Sequence, residues 1–289
     1  MAATVDQGFE TFLTRLVPLE SQRAAASRHR AGVEASLRNA LKVSMFREAG
    51  SFNHGTGVRG LCDVDLLVSL NEAQPTNSDT ALRWVRDALA ASFPHTTVRV
   101  SRPAVVVEFN GGAESWEVIP GFRKNASNAK IPLYDVPGAA AGWLESAPSA
   151  HLTYVTQING EASIAGGAKK LARLVKAWKY YNNVPISSFY LEMRAAKYLS
   201  GESLFLPAVD ICNVLEHLNS IQLAAMNDPA GVTSRFYACS SDAKARDALS
   251  KLATGATRAR KAATARANGD PATAYYYLDL LFGGKFPAR

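Results

Sequence analysis

Residues 50–68 read GSFNHGTGVRGLCDVDLLV and contain the most informative pattern of the chain. Gly50 and Ser51 form a turn that is able to receive a triphosphate through backbone N–H groups and a hydroxyl. Asp63 and Asp65 are two residues apart on the strand that follows, so their side chains point to the same face. Two carboxylates on one face repel each other unless a cation lies between them. Mg²⁺ prefers oxygen ligands and completes its shell with substrate phosphates, so the stretch predicts metal-assisted phosphoryl or nucleotidyl transfer.

A third acidic residue is needed to hold two metal ions, and the later strands offer two candidates. Glu117 lies in the apolar run WEVIP (residues 116–120), where a carboxylate is costly unless it is paired or bound to metal. Glu108 lies opposite in face to Val107 and Phe109, so solvent is able to cover it. We therefore expect Glu117, rather than Glu108, to join the two aspartates as catalytic and metal-binding residues. Two ions about 3.5–4 Å apart would activate a ribose hydroxyl and hold the leaving pyrophosphate.

The composition is that of an ordinary globular protein. Of the 289 residues, 47% are hydrophobic and 20% are charged, and no apolar run approaches the ~20 residues that span a bilayer. The N-terminal residues lack the pattern of a signal peptide, so we expect a cytoplasmic protein with no membrane partner. The three cysteines are scattered, which argues against a structural zinc site or a disulfide framework. The net charge of +7 suits a polyanionic partner, either nucleic acid or nucleoside triphosphates.

The order of predicted elements indicates an α+β fold. Two helices reach to about Leu41, and strands follow around residues 43–48, 64–68, 97–100, 104–109 and 115–119, with a helix at 79–91. Pro120 and Gly121 are expected to end the last strand, and residues 122–148 to form an irregular surface connection. The remaining predicted helices are 149–159, 167–181, 187–199, 207–218, 242–267 and 271–282. We expect a catalytic core with a mixed sheet over residues 1–150 and a helical lobe over 151–289 that completes the nucleotide-binding cleft.

These motifs resemble the DNA polymerase β-like nucleotidyltransferase superfamily, and more narrowly the bacterial cGAS/DncV-like nucleotidyltransferases (CD-NTases). Their first motif has the form GSxxxGTxxxxxxDxDL, which residues 50–66 match, and their third acid is followed by a proline, as Glu117 is here by Pro120. The family has aspartate more often than glutamate at the third position. The resemblance implies a polymerase β-like core, Mg²⁺ with Mn²⁺ as the alternative ion, and an enzyme that makes cyclic di- or trinucleotides in anti-phage (CBASS) signalling. It also implies nucleoside triphosphate substrates such as ATP, a downstream effector reached through the product, and regulatory proteins of the defence operon.

The helical half contains the remaining predicted nucleotide-binding residues. The run LARLVKAWK (residues 171–179) precedes a Ser-Phe and Leu-Glu segment (residues 187–192), an order that resembles the family. Lys176 is our candidate for binding the triphosphate, with Lys170, Arg173 and Lys179 as competitors. Ser188 would donate to a phosphate or a base, and Tyr190 would stack on the donor base, their alternatives being a helix cap and a core aromatic.

Two questions stay open at the level of sequence. The basic residues of the late helices form either a solvated face or an RNA or partner surface; they are Lys244, Arg246, Lys251, Arg258, Arg260, Lys261 and Arg266. Besides the cyclic oligonucleotide synthase, the motifs also fit a linear, template-independent nucleotidyltransferase that acts on RNA or protein. A degenerate nucleotide sensor or RNA-binding module is less favoured, because the acid set is intact.

Overall fold

The computed structural model describes residues 4–61, 63–126, 129–138 and 141–289, and within these ranges the chain forms ten α-helices and seven strands. The helices are α1 (Val5–Leu16), α2 (Glu20–Ala40), α3 (Gly50–His54), α4 (Ser78–Ser92), α5 (Pro148–Gly160), α6 (Gly167–Tyr181), α7 (Ser188–Leu199), α8 (Pro207–Ser220), α9 (Asp242–Ala267) and α10 (Pro271–Leu281). The strands are β1 (Val43–Ala49), β2 (Val64–Leu70), β3 (Thr97–Ser101), β4 (Ala104–Phe109), β5 (Glu114–Arg123), β6 (Tyr134–Pro137) and β7 (Trp143–Ser146).

The strands form one mixed sheet in the order β1-β2-β5-β4-β3, with β6 paired to β5 and β7 paired to β6. Strands β2 and β5 are parallel, and the other pairs are antiparallel. One face of the sheet packs against α2 and α4, because every second strand residue is apolar and buried there. That core includes Leu66, Val68, Val105, Val107, Trp116 and Val118 from the strands and Val33, Leu37, Leu82, Val85 and Leu89 from the helices.

The opposite face of the sheet contains Asp65, Leu67 and Ser69 of β2 by strict alternation. Among the described residues, a small apolar cluster forms there, in which Leu67 packs with Tyr134 and Val136 of β6. The polar residues of β2 and β5 therefore share a face that the main sheet core does not fill.

The end of β5 and the segment after it differ from the expectation. Strand β5 continues through Pro120 and Gly121 to Arg123, paired in register with β2. Proline is tolerated at this point because the pairing with β4 ends at Val118 and the pairing with β6 begins at Phe122, which leaves no ladder on that side to be broken. Residues 122–148, expected to be irregular, contain β6 and β7 as an antiparallel hairpin.

The chain divides into two compact units, each with its own core. The unit that holds the sheet comprises Pro18–Gly55 and Cys62–Leu152, and the helical unit comprises Met1–Val17, Thr56–Leu61 and Thr153–Arg289. The sequence analysis places all of residues 1–150 in the catalytic core. In the structure, α1 and the loop Thr56–Leu61 group with the helical unit instead. The α+β fold with a mixed sheet and a separate helical part is confirmed.

The helical unit is built on α6, whose residues from Leu171 to Trp178 are all buried. Helix α1 contributes Phe9 and Phe12, which pack against Phe282 and Phe286 near the end of the chain at centroid distances of 4.6–6.5 Å. The sequence predicts these helices well because their ends are marked chemically. Ser187, Ser241 and Asp270 cap α7, α9 and α10 through their side chains, and α8 and α10 begin with proline.

Candidate active site

Gly50, which begins α3 directly after β1, lies against the second aspartate of the motif. Gly50 has a φ of +62°, a left-handed conformation that side-chain-bearing residues rarely adopt. A Cβ atom at this position would lie 1.6 Å from Asp65 Oδ2, so any residue other than glycine would clash with the carboxylate. Ala49 is the register partner of Asp65 on the neighbouring strand, which explains why the turn and the carboxylate meet. Ser51 follows in α3 and is half-buried.

The acidic residues occupy neighbouring positions on the parallel strands β2 and β5. Asp65 and Glu117 are register partners, so their side chains share a face and their backbones lie about 4.8 Å apart. Both are half-buried, and Asp63 is exposed immediately before β2. The two strands thus bring Glu117 beside the aspartate motif, as the alternation of its strand predicts.

Glu108, the rival third acid, lies one strand further from the aspartates. It faces Ser115 of β5 and Thr97 of β3, and its carboxylate accepts a hydrogen bond from Arg99 at 3.0 Å. That ion pair already compensates its charge at a partly exposed position, so the geometry favours Glu117 over Glu108.

The donor set fits a magnesium ion by its chemistry. Over the described ranges, no three histidine, cysteine, aspartate or glutamate side chains converge into a ready-made metal cage. Mg²⁺ does not require one, since it is commonly bound by one or two carboxylates together with waters and substrate phosphates. Asp65 and Glu117, adjacent on one face, with Asp63 two residues from Asp65, supply such carboxylates.

Lys176 is buried in the helical unit, where its ammonium forms an ion pair with Glu192. Its side chain is 1% exposed and that of Glu192 is 3% exposed. The ammonium also donates to Thr56 Oγ1 at 2.8 Å. A lysine that is enclosed and paired in this way does not present its charge to a ligand, which argues against the predicted role of Lys176 in binding the triphosphate.

Tyr190 is also a core residue. Its ring is fully buried and its hydroxyl donates to the Ala224 carbonyl at 2.7 Å, while burial raises the pKa of the phenol. Phe236 packs against the ring edge to face at 6.3 Å, and the Arg194 guanidinium lies 5.1 Å from its centroid. The ring therefore has no open face for a base, contrary to the predicted stacking role.

Two residues that the sequence reasoning did not select lie beside Ser188. Lys179 donates to Ser188 Oγ at 2.6 Å, and the Tyr180 hydroxyl lies 3.1 Å from the same oxygen. Phe189 is 36% exposed and packs tilted on Phe236 at 4.9 Å. The helix cap is Ser187, so the Ser188 hydroxyl is not used for capping. The sequence does indicate Lys179, because it is one of the alternatives to Lys176 for binding the triphosphate on the same helix.

The basic residues of α9 are largely engaged within the helical unit. Arg260 forms a bidentate pair with Glu216, and Arg266 forms one with Asp6 at 3.0 and 2.9 Å. Lys251 bonds Asp247, and Arg258 donates to the Leu280 carbonyl at 2.8 Å. The contacts of Arg258, Arg260 and Arg266 join α9 to other elements, and that of Lys251 with Asp247 lies within α9, which favours the solvated structural face over an RNA surface. In the described part of the chain, no helix combines the length and the apolar character needed to cross a membrane.

A comparison with known protein families identifies one family for this chain. The family model of the Second Messenger Oligonucleotide or Dinucleotide Synthetase (SMODS) domain matches residues 3–159, a span that contains the glycine-serine turn and all three acids. No curated protein matches the chain.

Several solved structures have the same fold. The structure of E. coli MS115-1 CdnC with ATP has a TM-score of 0.75 at 18% identity, over 98% of this chain and 99% of that chain. The structure of the CdnC:HORMA-deltaN complex also has a TM-score of 0.75. The CD-NTase CdnG of Bradyrhizobium diazoefficiens, solved with GTP, has a TM-score of 0.75 at 14% identity, over 99% of this chain and 96% of that one. The cyclic AMP-GMP synthase DncV of Vibrio cholerae has a TM-score of 0.65 at 15% identity, over 84% of this chain and 70% of that one.

At these identities the structural matches show the fold, while the family assignment rests on the sequence match. That match covers more than half of the chain and includes the motif from residue 50 to residue 66. The resemblance inferred from the sequence is thereby confirmed. The protein belongs to the family of second messenger oligonucleotide or dinucleotide synthetases, which are nucleotidyltransferases that make cyclic nucleotide second messengers.

Proposed function

We propose that this protein uses Mg²⁺ to join two or three nucleoside triphosphates into a cyclic di- or trinucleotide, with release of pyrophosphate, in bacterial anti-phage (CBASS) signalling. One observation supports the chemistry above all others. Asp65 and Glu117 are register partners on adjacent parallel strands, and Gly50 leaves room for the Asp65 carboxylate at the end of β1. This is a carboxylate pair on one face next to a turn suited to phosphate.

Each residue of the sheet unit has a role in this proposal. The metal ions, bound by Asp63, Asp65 and Glu117, would supply charge stabilisation to the triphosphate. Ser51 donates its hydroxyl hydrogen to a phosphate oxygen, and Gly50 allows the backbone to approach that phosphate closely. Glu117 accepts the proton of the attacking ribose hydroxyl, whose oxygen bonds to the α-phosphorus while the bond from phosphorus to the pyrophosphate oxygen breaks.

The helical unit contributes nucleotide contacts from the segment around Ser188. Within the helical unit, Lys179 and Ser188, whose side chains are 2.6 Å apart, bind a nucleotide phosphate in place of the buried Lys176. Phe189, exposed and supported by Phe236, offers its ring to a base in place of Tyr190. Mn²⁺ is expected to replace Mg²⁺, because the same oxygen ligands suit both ions.

The decisive experiment is product analysis. The purified protein is incubated with Mg²⁺ and each pair of nucleoside triphosphates, and the products are identified by mass spectrometry before and after phosphatase treatment. A cyclic product resists phosphatase, whereas a linear product loses its terminal phosphates and would support the linear nucleotidyltransferase instead. The absence of pyrophosphate release with every pair, and with the mixture of all four, would contradict both.

The partners follow from the proposed product. A diffusible cyclic nucleotide requires a downstream effector that binds it, and both are expected in the cytoplasm. We also expect a regulatory protein of the defence operon as a partner; the similar protein CdnC has been solved in a complex with HORMA-deltaN. Affinity purification of the tagged protein, co-expressed with the products of neighbouring genes, tests this part separately from the chemistry.

A further inference from the structure

The loop Thr56–Leu61 lies between the glycine-serine turn and the aspartate motif in sequence but belongs to the helical unit in space. The residues before it, Gly50–His54, form the turn and α3, and Asp63 follows two residues after it. Both motifs belong to the sheet unit. The chain therefore leaves the sheet unit after the glycine-serine turn and α3 and returns to it before the aspartate motif.

Three buried polar side chains hold the start of this loop. Thr56 is fully buried, and its hydroxyl donates to Glu192 Oε2 and accepts from Lys176 Nζ at 2.8 Å. Lys176 and Glu192 also form an ion pair with each other, with exposures of 1% and 3%. Each member of this triad, Thr56–Lys176–Glu192, thus contacts the other two.

Further contacts fix the rest of the loop to the same unit. Arg173, 8% exposed, donates to the Gly57 carbonyl at 3.1 Å, and Val58 is fully buried in the helical core. The Arg59 backbone N–H donates to the Leu16 carbonyl at 2.8 Å, and its guanidinium donates to the Val17 and Thr14 carbonyls at 2.7 and 3.1 Å. Every residue from Thr56 to Arg59 is therefore tied down by a contact that the helical unit provides.

A buried ion pair adds little net stability to a protein core, because burying the two charges costs desolvation free energy. Two charges lose their hydration when they are enclosed, and well-packed apolar residues at the same positions often give equal or greater stability. What an ion pair with a bridging hydroxyl provides is a defined position, because its hydrogen bonds are directional and each partner is fixed by two others. The triad holds one point of the chain, Thr56, in a single place.

We propose that Thr56, Lys176 and Glu192 are positioning residues that order the backbone of the glycine-serine turn and of the aspartate motif, by fixing the loop that joins them. The inference deepens the proposed nucleotidyl transfer and rests on it for its catalytic consequence. Its structural consequence is independent: loosening the triad loosens the backbone of residues 50–55 and 63–65 without unfolding α6 and α7.

Thr56→Val is the informative variant, because it removes the hydroxyl and keeps the shape of the side chain. Thr56→Ser keeps the hydroxyl and serves as the conservative rescue. Tyr198→Phe is the matched control in α7, where the Tyr198 hydroxyl links Asp210 and Asn213, each at 3.0 Å, in a polar network that does not touch the loop. Glu192→Gln, which removes the charge but keeps an acceptor for both partners, is a second variant with the same expected direction.

Hydrogen–deuterium exchange followed by mass spectrometry tests the structural consequence in the full chain. In Thr56→Val, peptides covering residues 46–66 are expected to exchange at least tenfold faster than in the wild type, and peptides of α6 and α7 at the wild-type rate. Thr56→Ser and Tyr198→Phe are expected to match the wild type over residues 46–66. Unchanged exchange over that segment in Thr56→Val, or an equal increase across α6 and α7, would overturn the proposal.

Steady-state pyrophosphate release from a mixture of the four nucleoside triphosphates with Mg²⁺ tests the catalytic consequence. Thr56→Val is expected to lower kcat by about 10- to 100-fold with KM within threefold, since misplacing reacting groups by about 1 Å costs on this order. Thr56→Ser and Tyr198→Phe keep at least half of the wild-type kcat. Equal kcat in Thr56→Val and the wild type overturns the positioning role. A wild type that releases no pyrophosphate refutes the proposed function, while the exchange data still decide the structural consequence.

Discussion

Replacing Gly50 by alanine tests the link between the turn and the second aspartate. The new Cβ would stand 1.6 Å from Asp65 Oδ2, where ordinary contacts lie at 3.4–4 Å, so the carboxylate must move by about 2 Å or the turn must open. A displacement of about 1 Å at reacting groups costs on the order of 100-fold in rate, which corresponds to about 2.7 kcal/mol of transition-state stabilisation. We expect Gly50→Ala to lower kcat for pyrophosphate release by at least 100-fold.

Gly111→Ala separates this clash from the strain of the left-handed backbone. Gly111 has a φ of +66°, close to the +62° of Gly50, but a Cβ there would meet nothing within 4 Å. Both substitutions cost about 1–2 kcal/mol of conformational energy in the folded state. Their free energies of unfolding, measured with urea, should therefore fall by similar amounts, with a further loss in Gly50→Ala from the displaced carboxylate.

The comparison of the two variants decides the outcome. Turnover is measured at saturating nucleotide and Mg²⁺, at a temperature where both variants are folded. Gly111→Ala is expected to keep wild-type kcat. A Gly50→Ala enzyme with kcat within threefold of Gly111→Ala would show that the Asp65 carboxylate tolerates the crowded position, and the argument that Gly50 sets its place would be wrong.

Three further changes have defined outcomes. Asp63→Asn combined with Asp65→Asn should abolish pyrophosphate release and leave the circular dichroism spectrum unchanged, and full turnover in this double variant would remove the carboxylates from the mechanism. Lys179→Ala should raise KM for nucleoside triphosphate about tenfold, because a charge-assisted hydrogen bond to the phosphate is lost. Lys170→Ala, at an exposed position of the same helix, should leave KM unchanged. Equal KM values for the two variants would contradict the choice of Lys179. Burial raises the pKa of the Cys212 thiol to about 11, so its reactive thiolate accumulates only as the pH rises towards that value. Iodoacetamide at pH 8 should therefore leave Cys212 unmodified in the native protein. Labelling of Cys212 in the native protein within minutes would show that the thiol is exposed.

Except for α3, where the sequence predicts a turn, the helices could be predicted nearly to their ends because short-range chemistry marks them. Proline begins α8 and α10, side chains of serine or aspartate cap α7, α9 and α10, and glycine opens α6. The hairpin of β6 and β7 escaped prediction because its strands have four residues each in a segment rich in glycine, proline and alanine. Their formation depends on pairing with Phe122 and Arg123 of β5, which local patterns do not show.

The site divides in the same way. The proximity of Asp65 and Glu117 could be predicted, because alternation and a neighbouring strand suffice to bring them together. The choice between Lys176 and Lys179 could not, since both lie on one amphipathic helix and the burial of Lys176 depends on Glu192, which belongs to the next helix. Tyr190 and Phe189 are likewise adjacent positions of one helix, and only the fold shows that Tyr190 is the buried one, with its hydroxyl bonded to the Ala224 carbonyl.

The placement of α1 has a practical consequence for anyone who would express the catalytic part alone. Residues 3–159 are the natural choice, since that is the extent of the family match. Such a fragment would include α1 but lack Phe282 and Phe286, which cover Phe9 and Phe12 in the whole chain. Two phenylalanine rings would then face water, and the fragment would be prone to aggregate. The segment that matches the family is therefore not expected to fold by itself, because residues near the end of the chain cover the apolar face of α1.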